Sequence, residues 1–169
     1  GNGIVIIALM LAGAQILVSA INLTGVGVTL SSLTVAVGGS SLFLVGLIVA
    51  LACLILGMGI PTTAAYVLVA AVMAPALITI GIEPLVAHMF VFYYATISVI
   101  TPPVCIAVFV AASIAGTDWW PAALNAVRLA AVTYVVPFMF LSYPGMLWTG
   151  DALAILSAAL SGAVLVLAT

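Results

Sequence analysis

Two polar segments interrupt long apolar stretches of the sequence, GMGIPTT at residues 57–63 and SVITPPV at residues 98–104. Proline has no amide hydrogen, so the two prolines of the second segment leave the carbonyls of Ser98 and Val99 without helical donors. Pro61 does the same in the first segment. In hydrocarbon each unsatisfied group costs several kcal/mol, so these oxygens need water, polar side chains or a bound cation. Carbonyl and hydroxyl oxygens are the ligands that hard cations prefer.

The residues around each proline also favour new helix starts, and helix N-termini attract anions. Thr62 or Thr63 is predicted to cap a helix that begins near Ala64, and Thr101 to cap a helix with proline in its first turn. Each motif alone is more typical of a kinked helix. Together, in consecutive elements, the breaks indicate a transport site for a cation and a carboxylate.

The composition places these segments in a membrane protein. Hydrophobic residues make up 68% of the 169 residues, charged residues 2%, and the mean hydropathy is +1.60, which excludes a soluble domain. Arg128 is the only Lys or Arg, so there is no basic surface for nucleic acid. No Asp, Glu or Lys lies at a predicted membrane centre, which favours sodium over proton coupling.

Segment lengths predict how the chain is divided. Residues 42–80 form an apolar stretch of about 39 residues, about 58 Å as one helix, which exceeds a bilayer core of about 30 Å. The central break leaves arms of about 16 residues, about 24 Å each, which fit a re-entrant helical hairpin. Tilted short spans are the alternative. The full prediction is one transmembrane domain fragment, 1–169, with a span at 3–23, the hairpin at 42–80, a broken helix at 84–116, and spans at 128–148 and 152–168.

Several single residues are interpreted as structural. Cys53 and Cys105 are expected to act as small hydrophobes. His88 is expected to be an interfacial histidine with a local hydrogen bond, and Arg128 a topological anchor at the start of a span. Tyr94 is expected to pack among aromatic rings, with a hydroxyl in the cavity as the alternative.

Two stretches carry a resemblance to a known family. LILGMGIPTTAAYVLVAAVMAPAL and FVFYYATISVITPPVCIAVFVAASIAG resemble the large, DctM-like membrane subunit of tripartite ATP-independent periplasmic (TRAP) transporters. The tail AVRLAAVTYVVPFMFLSYPGMLW resembles the fused subunits that work with TAXI-type solute-binding proteins. The resemblance covers residues 3 to 148.

The resemblance implies an all-α, multi-pass inner-membrane protein, an elevator-type transporter built from two inverted repeats, with this chain as the second, C-terminal half. It implies sodium-coupled import of an organic anion delivered by an extracytoplasmic solute-binding protein, together with a small membrane subunit or fused segment. The family's sodium positions map onto Gly57, Ser98, Thr101 and Val104. We expect substrate contacts from Pro61, Thr62, Thr63 and Thr101.

Two other interpretations stay open. A tricarboxylate-type or other ion-coupled anion transporter would also use Gly- and Pro-rich breaks. Alternatively, the breaks serve packing alone in a noncatalytic membrane scaffold subunit. An enzyme is not expected, because the sequence has no paired Asp, no Ser and His pair and no metal motif such as H-E-x-x-H.

Overall fold

The computed structural model describes residues 2–143 together with residues 147, 153, 156, 157 and 160. All regular elements in this part of the chain are helical, as the sequence predicts. The predicted span at 152–168 and the end of the one at 128–148 lie outside the described range. The α-helices are α1 Asn2–Thr24, α2 Val26–Gly38, α3 Leu42–Gly57, α4 Thr62–Thr79, α5 Pro84–Ile97, α6 Ile106–Ala115, α7 Trp119–Leu129 and α8 Val136–Ser142. Two short 3₁₀ turns, Ser98–Ile100 and Val132–Tyr134, complete the described elements.

Helices α3 and α4 form the predicted helical hairpin. They have 16 and 18 residues, pack against each other and are separated by residues 58–61. The Ser41 side chain caps α3 by accepting a hydrogen bond from the Leu44 amide at 3.4 Å. The break therefore lies where glycine and proline place it, and the re-entrant path of the hairpin stays a prediction.

Helix α4 is longer than the sequence analysis expects for a hairpin arm. Among the described residues, Thr62–Thr79 is the single helix that is long and apolar enough to cross a membrane, judged by length and composition. Helix α7 and residues Val132–Ser142 pass the same test only as a pair that is bent by 60°.

The hydrophobic core lies among α3, α4, α5 and α8. Fully buried side chains fill it, including Val49, Leu77 and Phe90. Gly46 lets α8 approach α3, because a Cβ atom there would lie 3.0 Å from Leu141 Cδ1 and 3.1 Å from Phe138 Cε1. Helices α1 and α2 pack on the other side of α4. This core holds α3, α4 and α5 side by side, so the breaks at their ends are positioned together.

Helices α6 and α7 form a smaller unit beside this core. Cys105, Val108 and Ala123 form its buried cluster, Ala112 is also buried, and the unit contacts the main core chiefly through the 3₁₀ turn Ser98–Ile100. An apolar groove of about 490 Å³ runs between the two helices, lined in part by Ala107, Ala111 and Ala115. These are the small residues whose spacing allows close helix contact.

The sequence predicts one membrane-crossing helix from Arg128, and the structure has two helices with a bend between them instead. Arg128 lies in the last turn of α7, and the chain bends by 60° before α8. Pro137 stands in the first turn of α8 and cannot donate to the carbonyl of Thr133, so the helical hydrogen-bond pattern is interrupted and starts again. The bend places Tyr134 in the link between the two helices.

Candidate functional site

The two breaks contact each other, as the sequence predicts. A Cβ atom on Gly57 would lie 2.6 Å from Ser98 Oγ and 3.0 Å from Ser98 Cβ. Real Cβ atoms do not approach other atoms this closely, so the contact requires a glycine. Ser98 is completely buried beneath it. The end of α3 is therefore pressed against the start of the second break.

A second contact extends this meeting point. Gly59 has a φ of 83°, a left-handed backbone that favours glycine, and its ideal Cβ position lies 3.6 Å from Val104 Cγ1. Three of the four residues predicted to bind sodium therefore take part in contacts between the breaks. Ser98 lies against Gly57, and Val104 lies against Gly59. Thr101 lies between them in sequence and is half-buried.

Helix α4 begins without a side-chain cap. Pro61 stands at the N-cap position, with φ −57° and ψ 141°, and its carbonyl accepts a 2.8 Å hydrogen bond from the Ala65 amide. The prediction that Thr62 or Thr63 caps a helix beginning near Ala64 is wrong. The fixed φ of proline suits the residue before a helix, so α4 starts at once, at Thr62.

This uncapped start leaves donors exposed at the hairpin tip. The amides of the first helical turn have no intrahelical acceptor. Within the described part of the chain, the hydroxyls of Thr62 and Thr63 make no hydrogen bond, and Thr63 is exposed. Amides, hydroxyls and the positive end of the helix dipole together form an environment that suits a carboxylate.

The second break keeps one carbonyl paired and leaves another without a helical donor. The carbonyl of Ser98, which lacks its usual donor at Pro102, accepts a hydrogen bond from the Thr101 amide at 3.2 Å instead. The 3₁₀ turn allows this, because it uses the donor three residues on. For Val99 the residues three and four positions on are Pro102 and Pro103, which have no amide hydrogen. The Val99 carbonyl therefore has no helical hydrogen-bond donor.

The Thr101 side chain makes hydrogen bonds within the second break and across to the α7–α8 link. Its Oγ1 donates to the carbonyl of Ile97 at 2.9 Å and lies 2.7 Å from the hydroxyl of Tyr134. The prediction that it caps a helix is wrong, because α6 starts at Ile106, after Cys105. The two prolines form a turn closed by a 3.3 Å bond from the Cys105 amide to the Thr101 carbonyl, and Cys105 adopts a left-handed φ of 31°.

Tyr134 is the residue that the sequence analysis misses. Its backbone carbonyl accepts a hydrogen bond from the Tyr94 hydroxyl, and its own hydroxyl bonds to Thr101. The Tyr94 ring packs against Phe90, with centroids 5.0 Å apart, so its aromatic packing is confirmed alongside this polar contact. The link between α7 and α8 is thus tied to the second break through side-chain and backbone oxygens.

Outside the breaks, His88 makes a hydrogen bond, but its partner lies on the neighbouring helix and is not local as predicted. Its Nδ1 lies 3.1 Å from the hydroxyl of Tyr66, which connects α5 to α4. Among the described residues there is no group of three or more His, Cys, Asp or Glu that could hold a metal ion. The oxygens near the second break come from the backbone and from hydroxyls, a neutral set of the kind that fits a hard monovalent or divalent cation.

The whole chain was also compared with known proteins. The family model described as "Tripartite ATP-independent periplasmic transporter, DctM component" matches residues 1–152. No curated protein and no solved structure matches the chain. A match over most of the sequence, on a chain whose helices break where the family motifs lie, identifies a membrane transporter component rather than an enzyme. The chain belongs to the DctM family of TRAP transporters, whose members work with a periplasmic solute-binding protein.

Proposed function

We propose that the chain is the permease part of a sodium-coupled importer for an organic anion, a carboxylate. The carboxylate is handed over by an extracytoplasmic solute-binding protein, and the permease is a multi-pass protein of the inner membrane. A small membrane subunit, or a segment fused to the permease, completes the transporter. The tail sequence favours the TAXI type of binding protein as the partner.

One observation carries the proposal, namely that groups of opposite polarity meet at the two breaks. The hairpin tip carries unpaired donors, the first amides of α4 with the hydroxyls of Thr62 and Thr63. The second break carries oxygens, the Val99 carbonyl and the Thr101 hydroxyl. Gly57 lies against Ser98, so the two breaks that carry these sets are in contact. A carboxylate suits the first set and a sodium ion the second.

The neutrality of this region supports coupling between the two solutes. Neither break contains a charged residue. A sodium ion bound by neutral oxygens keeps its full charge, and in a site of low dielectric constant this charge attracts a nearby carboxylate strongly. Each solute therefore raises the affinity for the other, which is the thermodynamic requirement for coupled transport.

The same arrangement supports an elevator mechanism. A hairpin, α3–α4, is followed by a helix broken into α5 and α6, which is the pattern found near the midplane of transporters with inverted repeats. We propose that these elements are the mobile part of the second repeat. In the alternative scaffold interpretation the donors of α4 would need an acceptor from a neighbouring protein.

The proposal is tested by uptake into proteoliposomes that contain the assembled transporter, with its binding protein and a panel of labelled mono- and dicarboxylates outside. We expect an inward sodium gradient to drive uptake. Thr63→Val removes a donor and should raise the half-saturating carboxylate concentration by about tenfold or less, whereas Thr101→Val should raise the half-saturating sodium concentration by a similar factor. Uptake that is indifferent to sodium would refute the proposal, as would identical changes from both variants.

A further inference from the structure

We infer that Tyr134 is a positioning residue for the cation: its hydroxyl donates to Thr101 and fixes the Thr101 oxygen as a hydrogen-bond acceptor. The inference rests on the proposed function and sharpens it. It assigns Thr101, expected from the sequence to contact both solutes, to the cation alone. Tyr134 lies 33 residues further along the chain and outside both breaks.

The assignment follows from counting hydrogens. A threonine hydroxyl has one hydrogen and two lone pairs. The Thr101 hydroxyl donates its hydrogen to the carbonyl of Ile97, which can only accept. The 2.7 Å bond between the Thr101 and Tyr134 hydroxyls must then use the tyrosine's hydrogen. Thr101 therefore accepts from Tyr134, and one lone pair of its oxygen remains.

That remaining lone pair decides which solute Thr101 can bind. An oxygen with a free lone pair is a ligand for a cation. A carboxylate oxygen needs a donor, and the only hydrogen of Thr101 is already used. While Tyr134 donates, Thr101 cannot turn its hydrogen towards a carboxylate without breaking its hydrogen bond to the Ile97 carbonyl.

Tyr134 is itself held in place at both ends. The Tyr94 hydroxyl donates to the backbone carbonyl of Tyr134, and the Tyr134 hydroxyl bonds to Thr101. Two hydrogen bonds therefore connect the α7–α8 link to α5 and the second break. Phe138 packs against Tyr94 with ring centroids 6.3 Å apart and closes the same cluster. The donor to Thr101 is therefore pre-organised before a cation arrives.

The test is the sodium dependence of uptake by Tyr134→Phe in the assembled, reconstituted transporter. Tyr134→Phe keeps the ring and removes the donor. We expect the half-saturating sodium concentration to rise by about threefold to tenfold, the value of one hydrogen bond, with the maximal rate changed by less than about twofold. Tyr93→Phe is the matched control, because Tyr93 packs against Phe140 and makes no hydrogen bond to any described residue.

The double variant Thr101→Val with Tyr134→Phe separates a positioning role from a general structural one. If Tyr134 acts through Thr101, the double variant should match Thr101→Val in its sodium dependence. Independent, multiplied effects would overturn the inference, as would a Tyr134→Phe variant that behaves like the control. Sodium-independent uptake by the unmodified transporter would instead refute the proposed function.

A second variant covers the case in which Tyr134→Phe does not reach the membrane. Tyr94→Phe leaves both hydroxyls of the Tyr134–Thr101 pair in place and releases only the Tyr134 backbone. We expect a smaller rise in the half-saturating sodium concentration, about twofold to threefold. Unchanged sodium dependence in this variant would also count against the inference.

Discussion

The two helix breaks are held together by different forces. At the hairpin tip, α3 ends on a glycine pressed against Ser98, and no side chain among the described residues caps the start of α4. In the second break, the hydroxyls of Ser98 and Thr101 both make hydrogen bonds, and the Thr101 hydroxyl is also bonded to Tyr134 from the α7–α8 link. The first break therefore depends on close packing, and the second on a network of oxygens.

This difference determines which interactions each break loses when it moves. Moving the hairpin tip away from the second break costs van der Waals contact but breaks no side-chain hydrogen bond between the described residues of the two segments. Moving Thr101 breaks two hydrogen bonds at once. The break that we propose binds the cation is consequently the more firmly held of the two, and the hairpin tip is the less firmly held.

The largest effect is expected where the breaks touch. Gly57→Ala places a Cβ atom 2.6 Å from Ser98 Oγ, and such overpacking typically costs about 1–3 kcal/mol. Because the clash lies between the two halves of the site, sodium-driven uptake should fall by about tenfold or more. The measurements are uptake in proteoliposomes and the thermal stability of the purified protein.

A compensating change and a control make this prediction specific. Gly57→Ala combined with Ser98→Gly adds a methyl group on one side of the contact and removes the hydroxymethyl group on the other, and it should restore part of the uptake. Gly13→Ala is the control, since its Cβ would meet nothing within 4 Å. If Gly57→Ala transports normally, the close contact is not needed for transport.

A clash of similar size outside the breaks should act on stability alone. Gly38 ends α2, and a Cβ atom there would overlap Val45 Cγ2 and lie 3.1 Å from the Val45 amide nitrogen. We expect Gly38→Ala to lower the free energy of unfolding by about 1–3 kcal/mol. The half-saturating sodium concentration of the surviving transporter should stay the same. A shift in sodium dependence would mean that a packing defect far from the breaks also alters sodium binding. The effect of Gly57→Ala could then not be attributed to the contact between the breaks.

The smallest effect is expected at the Tyr66–His88 hydrogen bond, which joins α4 and α5 outside both breaks. Tyr66→Phe removes it at a cost of about 0.5–1.5 kcal/mol. Thermal unfolding should reveal this loss, and sodium dependence should not change. Tyr143→Phe serves as the comparison, because that side chain is exposed and 51% accessible.

The breaks and their contact were predictable because glycine and proline act locally. Pro61 and the Pro102–Pro103 pair remove specific donors, and two adjacent hairpin-like elements must lie side by side, so their interruptions meet. The helix ends within the breaks were less predictable. Threonine is a common cap, but in both places proline geometry sets the path of the chain. The left-handed backbone at Cys105 could not be predicted, because cysteine is not among the residues that favour a positive φ.

The role of Tyr134 could not be read from the sequence for a different reason. Its partners, Tyr94 and Thr101, are 40 and 33 residues away, and the contact depends on the bend between α7 and α8. A continuous helix from Arg128, the pattern that hydropathy favours, gives no reason to place Tyr134 beside Thr101. Only the packed arrangement of the helices reveals a link of this range.

The bend after α7 has a mechanical consequence. Three interruptions of helical structure are in contact, one after another: residues 57–61 contact residues 98–105 at Ser98 and Val104, and residues 98–105 contact residues 130–135 through the Thr101–Tyr134 hydrogen bond. Main-chain hydrogen bonds make a helix stiff, and each of these helices lacks some of them at its point of contact. The three interrupted regions are thus linked to one another, so a tilt of α8 would be transmitted directly to Thr101 and the second break.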